Sequence, residues 1–170
     1  MILIGYDGSD DAKAAIVHAG SLCPNATTMV LTVWEPFATM MERTPGGLGP
    51  LALMGDIGDV GEMNAGAERA ALECAQEGAE LAQAAGLQAS ASTASQNTTI
   101  ADAILDRAEK LAADAIVLGS RGLTGIGSVL LGSVSHRVVQ HADRTVIVVP
   151  ADAVAQRRRH RREATKHVAA

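Results

Sequence analysis

Five glycines are concentrated in the stretch LGSRGLTGIGSVLLGSVS, from Leu118 to Ser135. Glycine lets a ligand approach the main chain closely, so a phosphate-binding loop is one explanation. Neither common phosphate motif fits, because Ser128 stands where a Walker loop needs lysine and Leu130 where the dinucleotide fingerprint needs glycine. What remains is the spacing Gly119-x2-Gly122-x9-Gly132-Ser133. Both a simple turn and a phosphate site are compatible with it.

The positions of these glycines in the predicted elements suit a phosphate. Gly119 ends the apolar run AIVLG, which predicts a buried strand, and Gly132 with Ser133 begins a predicted helix. The first amide groups of a helix lack partners within the helix and attract an anion. Ser133 and Ser135 add hydroxyl groups, and Arg121 adds a positive charge. Structural alternatives remain, with Ser133 as a helix N-cap and Arg121 as a solvated side chain.

Asp7 strengthens the phosphate interpretation, because it directly follows the first predicted strand, Ile2–Tyr6. In a parallel sheet of order 3-2-1-4-5, the first and fourth strands are neighbours, so Asp7 and Gly119 face one crevice. A carboxylate there can accept hydrogen bonds from a nucleoside or bind a metal ion that phosphates carry. Taken alone, Asp7 is more often a residue of the turn that initiates a helix.

Apolar runs alternate with helical patterns along the chain, which predicts an α/β fold. Five strands are predicted, at 2–6, 29–34, 87–95, 115–119 and 145–149. The first helix begins with Ser9 or Asp10 as its N-cap, and Thr99 caps the helix before the fourth strand. Near-continuous apolar strands are typical of a parallel sheet covered on both faces. We therefore predict a three-layer, doubly wound, five-stranded parallel sheet.

A length of 170 residues suits a single domain, since domains commonly have about 100–200 residues. We predict this domain over 1–150, with a long mobile loop insertion over 35–66, where periodicity is lost and glycine, proline and methionine accumulate. An alanine-rich helix follows and is closed by Gly86 at the C′ position. Residues 151–170 form a basic tail that we expect to be frayed or disordered.

Charge is distributed unevenly along the chain. Residues 151–170 hold six Lys or Arg against two acidic residues, whereas the preceding 150 residues hold eight against seventeen. An acidic body does not attract nucleic acid, so we expect no nucleic-acid partner. No apolar run approaches the ~20 residues that span a bilayer, so we expect no membrane segment. The two widely spaced cysteines, Cys23 and Cys74, favour a reducing, cytoplasmic location.

Motifs for catalysis or metal binding are missing from the sequence. No serine lies in G-x-S-x-G, neither cysteine has a plausible catalytic base near it in sequence, and the histidines lack metal-ligand spacing. The histidines are His18, His136, His141, His160 and His167. The residues alone therefore predict no catalytic site.

Three segments of the chain resemble the universal stress proteins of the nucleotide-binding type. They are ILIGYDGS at the start, VLTVWEP around the second strand, and IVLGSRGLTGIGSVLLGSVSHRVVQHADRTVIVVP at the end. The last segment matches the family's G-x2-G-x9-G-[ST] signature without a gap. The resemblance implies the adenine nucleotide alpha hydrolase-like fold. One departure is Thr98-Thr99-Ile100, where the family often has a G-x-P turn.

The resemblance further implies an ATP site with Mg²⁺ as a companion ion. Asp7 and the main chain at Val33 would contact the nucleoside. The ribose and phosphates would be surrounded by Gly119, Arg121, Gly122, Gly132, Ser133, Val134 and Ser135. Family members commonly dimerise through the last strand, here Thr145–Val149, whose unpaired apolar edge gives a physical reason.

From these features we expect an ATP-binding regulatory protein of stress survival with at most slow hydrolysis. Three alternatives stay open: a dimeric adaptor with a vestigial pocket, a binder of AMP or cyclic AMP, and a genuine ATPase or related adenine-nucleotide hydrolase-like enzyme. We assign Gly119, Gly122 and Gly132 to the ligand, whereas Gly125 and Gly127 serve only the flexibility of the loop.

Overall fold

Five parallel strands form the central sheet of the computed structural model, which describes residues 1–43, 59–96, 98–122 and 131–151. The strands are β1 (Ile2–Gly5), β2 (Thr27–Trp34), β3 (Gln88–Ser95), β4 (Ala115–Gly119) and β5 (Thr145–Val149). Their order in the sheet is β3-β2-β1-β4-β5, and every pair is parallel. The predicted topology is therefore confirmed.

Helices cover both faces of this sheet. They are α1 (Asp10–Leu22), α2 (Phe37–Arg43), α3 (Val60–Ala84), α4 (Ile100–Lys110) and α5 (Ser133–His141). Alternating residues of each central strand point to opposite faces, so Ile4 packs with α1 and α3 while Leu3 packs with α4 and α5. The result is the three-layer architecture that the sequence predicts.

Two predicted helix starts and one helix end are confirmed at the level of single residues. Ser9 is the N-cap of α1, where its hydroxyl accepts a hydrogen bond from the Ala12 amide at 3.3 Å. Thr99 caps α4 in the same way through the Asp102 amide at 3.1 Å. Gly86 follows the end of α3 with a φ of +88°, the left-handed conformation that glycine adopts without strain.

The prediction of a structureless loop over 35–66 is wrong at both of its ends. The helix α2 occupies Phe37–Arg43, and α3 begins at Val60, ahead of the alanine-rich stretch. The two helices join where the Phe37 amide donates to the Asn64 carboxamide at 2.8 Å. Asp59 caps α3 by accepting from the Gly61 amide at 2.8 Å. Residues 44–58 of the predicted mobile loop lie outside the described residues.

The strand β2 begins two residues before the predicted Met29. Thr27 and Thr28 pair with Gln88 and Ala89 of β3. The pairing between β2 and β3 therefore starts before the apolar residues from which the strand was predicted. The predicted basic tail lies outside the described residues from residue 152 onward. Along the described part of the chain, no helix is long and apolar enough to cross a membrane.

Candidate functional site

The carboxyl ends of β1 and β4 meet at one edge of the sheet, because these strands are direct neighbours. Asp7 follows β1, and Gly122 follows β4 by three residues. A Cβ atom placed on Gly122 would lie 2.6 Å from Oδ2 of Asp7, so the two residues are in contact. The structure thus brings the predicted carboxylate and the start of the glycine motif into one place.

Asp7 also has the local role that its position in a turn predicts. Its Oδ1 accepts a hydrogen bond from the Ser9 amide at 3.1 Å, across Gly8, whose φ is +79°. This turn leads directly into α1 and leaves Oδ2 on the side of Gly122. One carboxylate therefore fixes the turn and also faces the glycine motif.

Main chain packs closely against the glycines at positions 119 and 132, and most tightly at Gly119. A Cβ at Gly119 would lie 2.7 Å from the Asp11 carbonyl carbon and 2.8 Å from the Ala12 nitrogen. A Cβ at Gly132 would lie 3.3 Å from the Cα of Arg121. A reason within the fold therefore exists for these glycines, whether or not a ligand touches them. Gly125 and Gly127 lie outside the described residues.

Helix α5 begins beside this edge without a side-chain cap. Its N-cap is Gly132, so the alternative that made Ser133 the cap is wrong, and Ser133 is the first helical residue. The Gly132 amide donates to the Ser120 carbonyl at 2.7 Å, which holds the helix start against the end of β4. By contrast, side chains cap α1, α3 and α4. The first amides of α5 therefore receive no cap from the N-cap residue.

The serines in the first turn of α5 differ in exposure. Ser133 is exposed, whereas Ser135 is 4% exposed and its hydroxyl donates to the Gly119 carbonyl at 2.7 Å. Because the Ser135 hydroxyl already donates this hydrogen bond, it can donate to a ligand, as predicted, only by giving up the Gly119 carbonyl. Val134, half-buried between them, packs against the core cluster of α4 and α5. The amides of all three residues lie at the helix N-terminus.

Arg121 forms a largely buried ion pair with Asp11, so the alternative of a solvated side chain is wrong. Its Nη2 lies 3.5 Å from Oδ1 of Asp11, and only 15% of the arginine side chain is exposed. The Ser120 hydroxyl donates to the same carboxylate at 2.6 Å. Asp11 and Ser120 were not predicted from the sequence as residues of this site. The partners are separated by about 110 residues, and no local spacing connects them.

Val33 lies where β2 extends beyond its neighbour. The strand β1 pairs with β2 only as far as Leu31, whereas β3 continues to pair with Val33 and Trp34. The Thr32 hydroxyl donates to the Tyr6 carbonyl at 2.9 Å and ties the end of β1 to this overhang. The Val33 main chain therefore lies past the end of β1, on the sheet edge that also carries Asp7.

Two ionisable side chains beneath the edge are shifted towards their neutral forms. Burial, reinforced by the hydrogen bond that the Tyr6 hydroxyl donates to Glu77 at 2.9 Å, raises the pKa of Tyr6 well above its ordinary value. Burial likewise raises the pKa of the Cys74 thiol. A protonated thiol is a weak nucleophile, so this position is a poor one for covalent chemistry.

A polar groove of about 220 Å³ lies elsewhere, between the end of β3 and α4. Its charged lining includes Asp102, which pairs with Arg137, and Arg107, which donates to the Thr93 carbonyl at 2.6 Å. Asp102 is thus paired with a cation and Arg107 is held by a main-chain carbonyl, and the groove shares no lining residue with the predicted site. Within the described segments, no three His, Cys, Asp or Glu side chains gather as metal ligands.

Comparisons with known proteins agree with this architecture. The family model described as "Universal stress protein family" matches residues 1–150. The universal stress protein in the QAH/OAS sulfhydrylase 3′ region of Thermus aquaticus is 34% identical over 154 residues, which cover 87% of this chain and 96% of that protein. Universal stress protein MJ0531 of Methanocaldococcus jannaschii is 49% identical over 49 residues, 29% of each chain.

Solved structures give the same result for the fold. Hypothetical protein MJ0577 aligns with a TM-score of 0.66 at 20% identity, over 88% of this chain and 94% of its own. A universal stress protein in complex with cAMP aligns with a TM-score of 0.58 at 28% identity, over 89% and 97%. The fold is thus the adenine nucleotide alpha hydrolase-like one that the sequence predicts. Since the family model spans nearly the whole described chain, the protein belongs to the universal stress protein family.

Proposed function

We propose that this protein binds an adenine nucleotide at the sheet edge formed by β1 and β4, as a regulatory ligand. The observation that carries the proposal is the start of α5, which has no side-chain cap and lies against the Ser120–Gly122 turn. An anion there would satisfy amide groups that the helix cannot satisfy itself. Gly122 and Ser133 are both exposed, so a ligand has access to this position.

The nucleoside end of the site is assigned to β1 and β2. Asp7 offers Oδ2 beside Gly122, while the overhanging main chain at Val33 offers hydrogen-bonding groups past the end of β1. A carboxylate suits ribose hydroxyl groups, and main-chain groups suit the edge of a base. Asp7 thus lies between the two parts of the ligand.

The phosphate end is assigned to Gly119, Arg121, Gly122 and the first turn of α5, Gly132–Ser135. Mg²⁺ accompanies ATP on its phosphates, and the Asp7 carboxylate is a hard oxygen ligand of the kind that this ion prefers. Fast phosphoryl transfer needs a base, metal ligands and a charge clamp in a closed site. The Arg121 guanidinium is already engaged by Asp11, so we propose at most slow hydrolysis, well below ~1 s⁻¹.

The nucleotide in our proposal is ATP, and cyclic AMP is the second candidate. The 28% identical relative in complex with cAMP supports an adenine ligand and favours this second candidate. Cyclic AMP needs fewer phosphate contacts than ATP. The pairing of Arg121 with Asp11 therefore lowers the affinity for cyclic AMP less than the affinity for ATP.

We further propose a homodimer joined through β5. Among the described residues, this strand pairs with β4 on one side and with no strand on the other, and its residues Thr145–Val149 are largely apolar. An unpaired apolar edge favours the addition of another strand. A cytoplasmic location fits Cys23 and Cys74, which are both free thiols.

Calorimetric titration of ligand-free protein with ATP and Mg²⁺, AMP and cyclic AMP tests the proposal. We expect saturable binding that Gly122→Ala abolishes, because the new Cβ would meet Asp7 at 2.6 Å. Gly66→Ala is the matched control, since its Cβ meets nothing within 4 Å. Absence of binding of all three nucleotides at millimolar concentration would refute the proposed function.

A further inference from the structure

The Asp11 carboxylate is a buried charge in the first turn of α1 that the proposed nucleotide site does not use directly. Its side chain is 7% exposed. It accepts the Ser120 hydroxyl at 2.6 Å and lies 3.5 Å from two nitrogens of the Arg121 guanidinium, Nε and Nη2. A carboxylate this deeply buried is stabilised only by such partners. It therefore competes with any other anion for the positive charge of Arg121.

This ion pair lies directly against the proposed phosphate position. The residue next to Arg121 is Gly122, which contacts Asp7, and the start of α5 packs on the Cα of Arg121. The Gly132 amide donates a hydrogen bond to the Ser120 carbonyl, and the Ser120 hydroxyl donates one to the Asp11 carboxylate. The proposed phosphate position at the start of α5 and the Asp11 carboxylate thus both adjoin the short segment Ser120–Gly122.

We propose that Asp11 sets the phosphate selectivity of the site by sharing the Arg121 guanidinium with the ligand. This inference rests on the proposed nucleotide binding and adds a determinant of which nucleotide is preferred. The repulsion between Asp11 and a ligand grows with the charge of the ligand, because the Coulomb energy is proportional to each charge. The site as built therefore lowers the advantage that ATP gains over cyclic AMP from its additional phosphates.

A purely structural role for Asp11 predicts a different result. If the ion pair only joins α1 to β4, its loss lowers the stability of the fold and changes the affinity of all adenine ligands alike. If Asp11 draws charge away from the ligand, its loss changes affinity in proportion to ligand charge. The ratio of two affinities separates these roles, whereas a single affinity does not.

The test uses Asp11→Asn, which keeps an oxygen acceptor for Ser120 and removes the negative charge. Affinities for ATP, cyclic AMP and adenosine are measured by calorimetry, without Mg²⁺. We expect ATP to bind about tenfold more tightly than to the wild type, cyclic AMP about twofold, and adenosine without change. Asp102→Asn is the matched control, because it removes the carboxylate of an exposed Asp–Arg pair, and it should change none of the three.

Three results would overturn the inference. One is an equal change for all ligands in Asp11→Asn, and another is weaker ATP binding in that variant. The third comes from Arg121→Gln, which also serves if Asp11→Asn does not fold. This variant should weaken ATP more than cyclic AMP, and an equal loss contradicts the shared guanidinium. A wild type that binds none of the ligands refutes the proposed function itself, whereas binding with an unchanged ratio refutes only the role of Asp11.

Discussion

Helices α4 and α5 cover the same face of the sheet, yet their N-termini are built in opposite ways. The start of α4 is closed by its own side chains, since the Thr99 hydroxyl accepts from the Asp102 amide and Asp102 places a carboxylate in the first turn. The start of α5 has glycine as its cap and no acidic residue in its first turn. The two helices touch through Arg137 of α5, which pairs with Asp102 of α4 at 3.1 Å.

The difference is that one helix N-terminus is closed by protein side chains, whereas the other receives no side-chain cap and is the one that we propose for the ligand. A capped terminus has satisfied its amides and offers an anion little. An uncapped terminus keeps its partial positive charge, which an arriving anion can use. In the groove beside α4, the Asp102 carboxylate is already paired with Arg137, and the Arg107 guanidinium already donates to the Thr93 carbonyl.

The largest effect is expected from giving α5 an acidic cap. Gly132 has φ −68° and ψ 159°, values that aspartate adopts without strain, although the added Cβ would crowd the Cα of Arg121 at 3.3 Å. In Gly132→Asp the carboxylate occupies the helix start, and ATP affinity should fall about a hundredfold, or roughly 2.7 kcal/mol. Calorimetry measures this loss, with Thr99→Asp as the control at α4. If a folded Gly132→Asp protein retains the ATP affinity of the wild type, the phosphates do not bind at the start of α5.

A smaller effect is expected from removing the cap of α4. In Thr99→Ala the Asp102 amide loses its acceptor, and the free energy of unfolding should fall by about 1 kcal/mol. ATP affinity should stay within about twofold of the wild type, a difference of roughly 0.4 kcal/mol. Urea denaturation and calorimetry on the same preparation measure the two quantities. An affinity loss as large as that of Gly132→Asp would show that α4 also belongs to the ligand site.

The smallest effect concerns the pH dependence of the pair that joins the helices. Hydrogen bonds from Thr99 and Arg137 hold the pKa of Asp102 below its ordinary value of 3.8. Because the folded pKa is the lower one, this carboxylate stabilises the fold above about pH 4, and the contribution is lost as the pH falls through the lowered pKa. The stability difference between wild type and Asp102→Asn should therefore shrink on acidification. If this stability difference grows on acidification instead, the Asp102 carboxylate does not stabilise the fold in its charged form.

The parallel sheet and the edge that carries the proposed site were predictable because their signals are local. Apolar runs such as AIVLG mark strands wherever a sheet is buried on both faces, and Ser9 and Thr99 mark helix starts by their own side chains. The helix α2 gave no such signal, since its seven residues complete scarcely two turns. The start of α3 was hidden by Gly61 and Gly66, and its helix relies on the Asp59 cap and the contact of Asn64 with Phe37.

The charges around the site were only partly predictable. Arg121 belongs to the glycine motif, but its partner Asp11 lies in the first turn of the first helix, and folding alone brings the two within 3.5 Å. Likewise, the sequence presents the Ser135 hydroxyl as available, whereas the structure bonds it to Gly119. Pairings across about 110 residues of chain leave no local spacing that a sequence pattern could reveal.

Whether the phosphates bind at the start of α5 can be tested by following the amide resonances of the two helix starts while ATP and Mg²⁺ are added to ¹⁵N-labelled protein. We predict that the amides of Ser133, Val134 and Ser135 shift with a common saturation curve, while those of Ile100, Ala101 and Asp102 stay in place. Saturable ATP binding that leaves the first turn of α5 unmoved, or that shifts both helix starts alike, would contradict the assignment of the phosphates to α5.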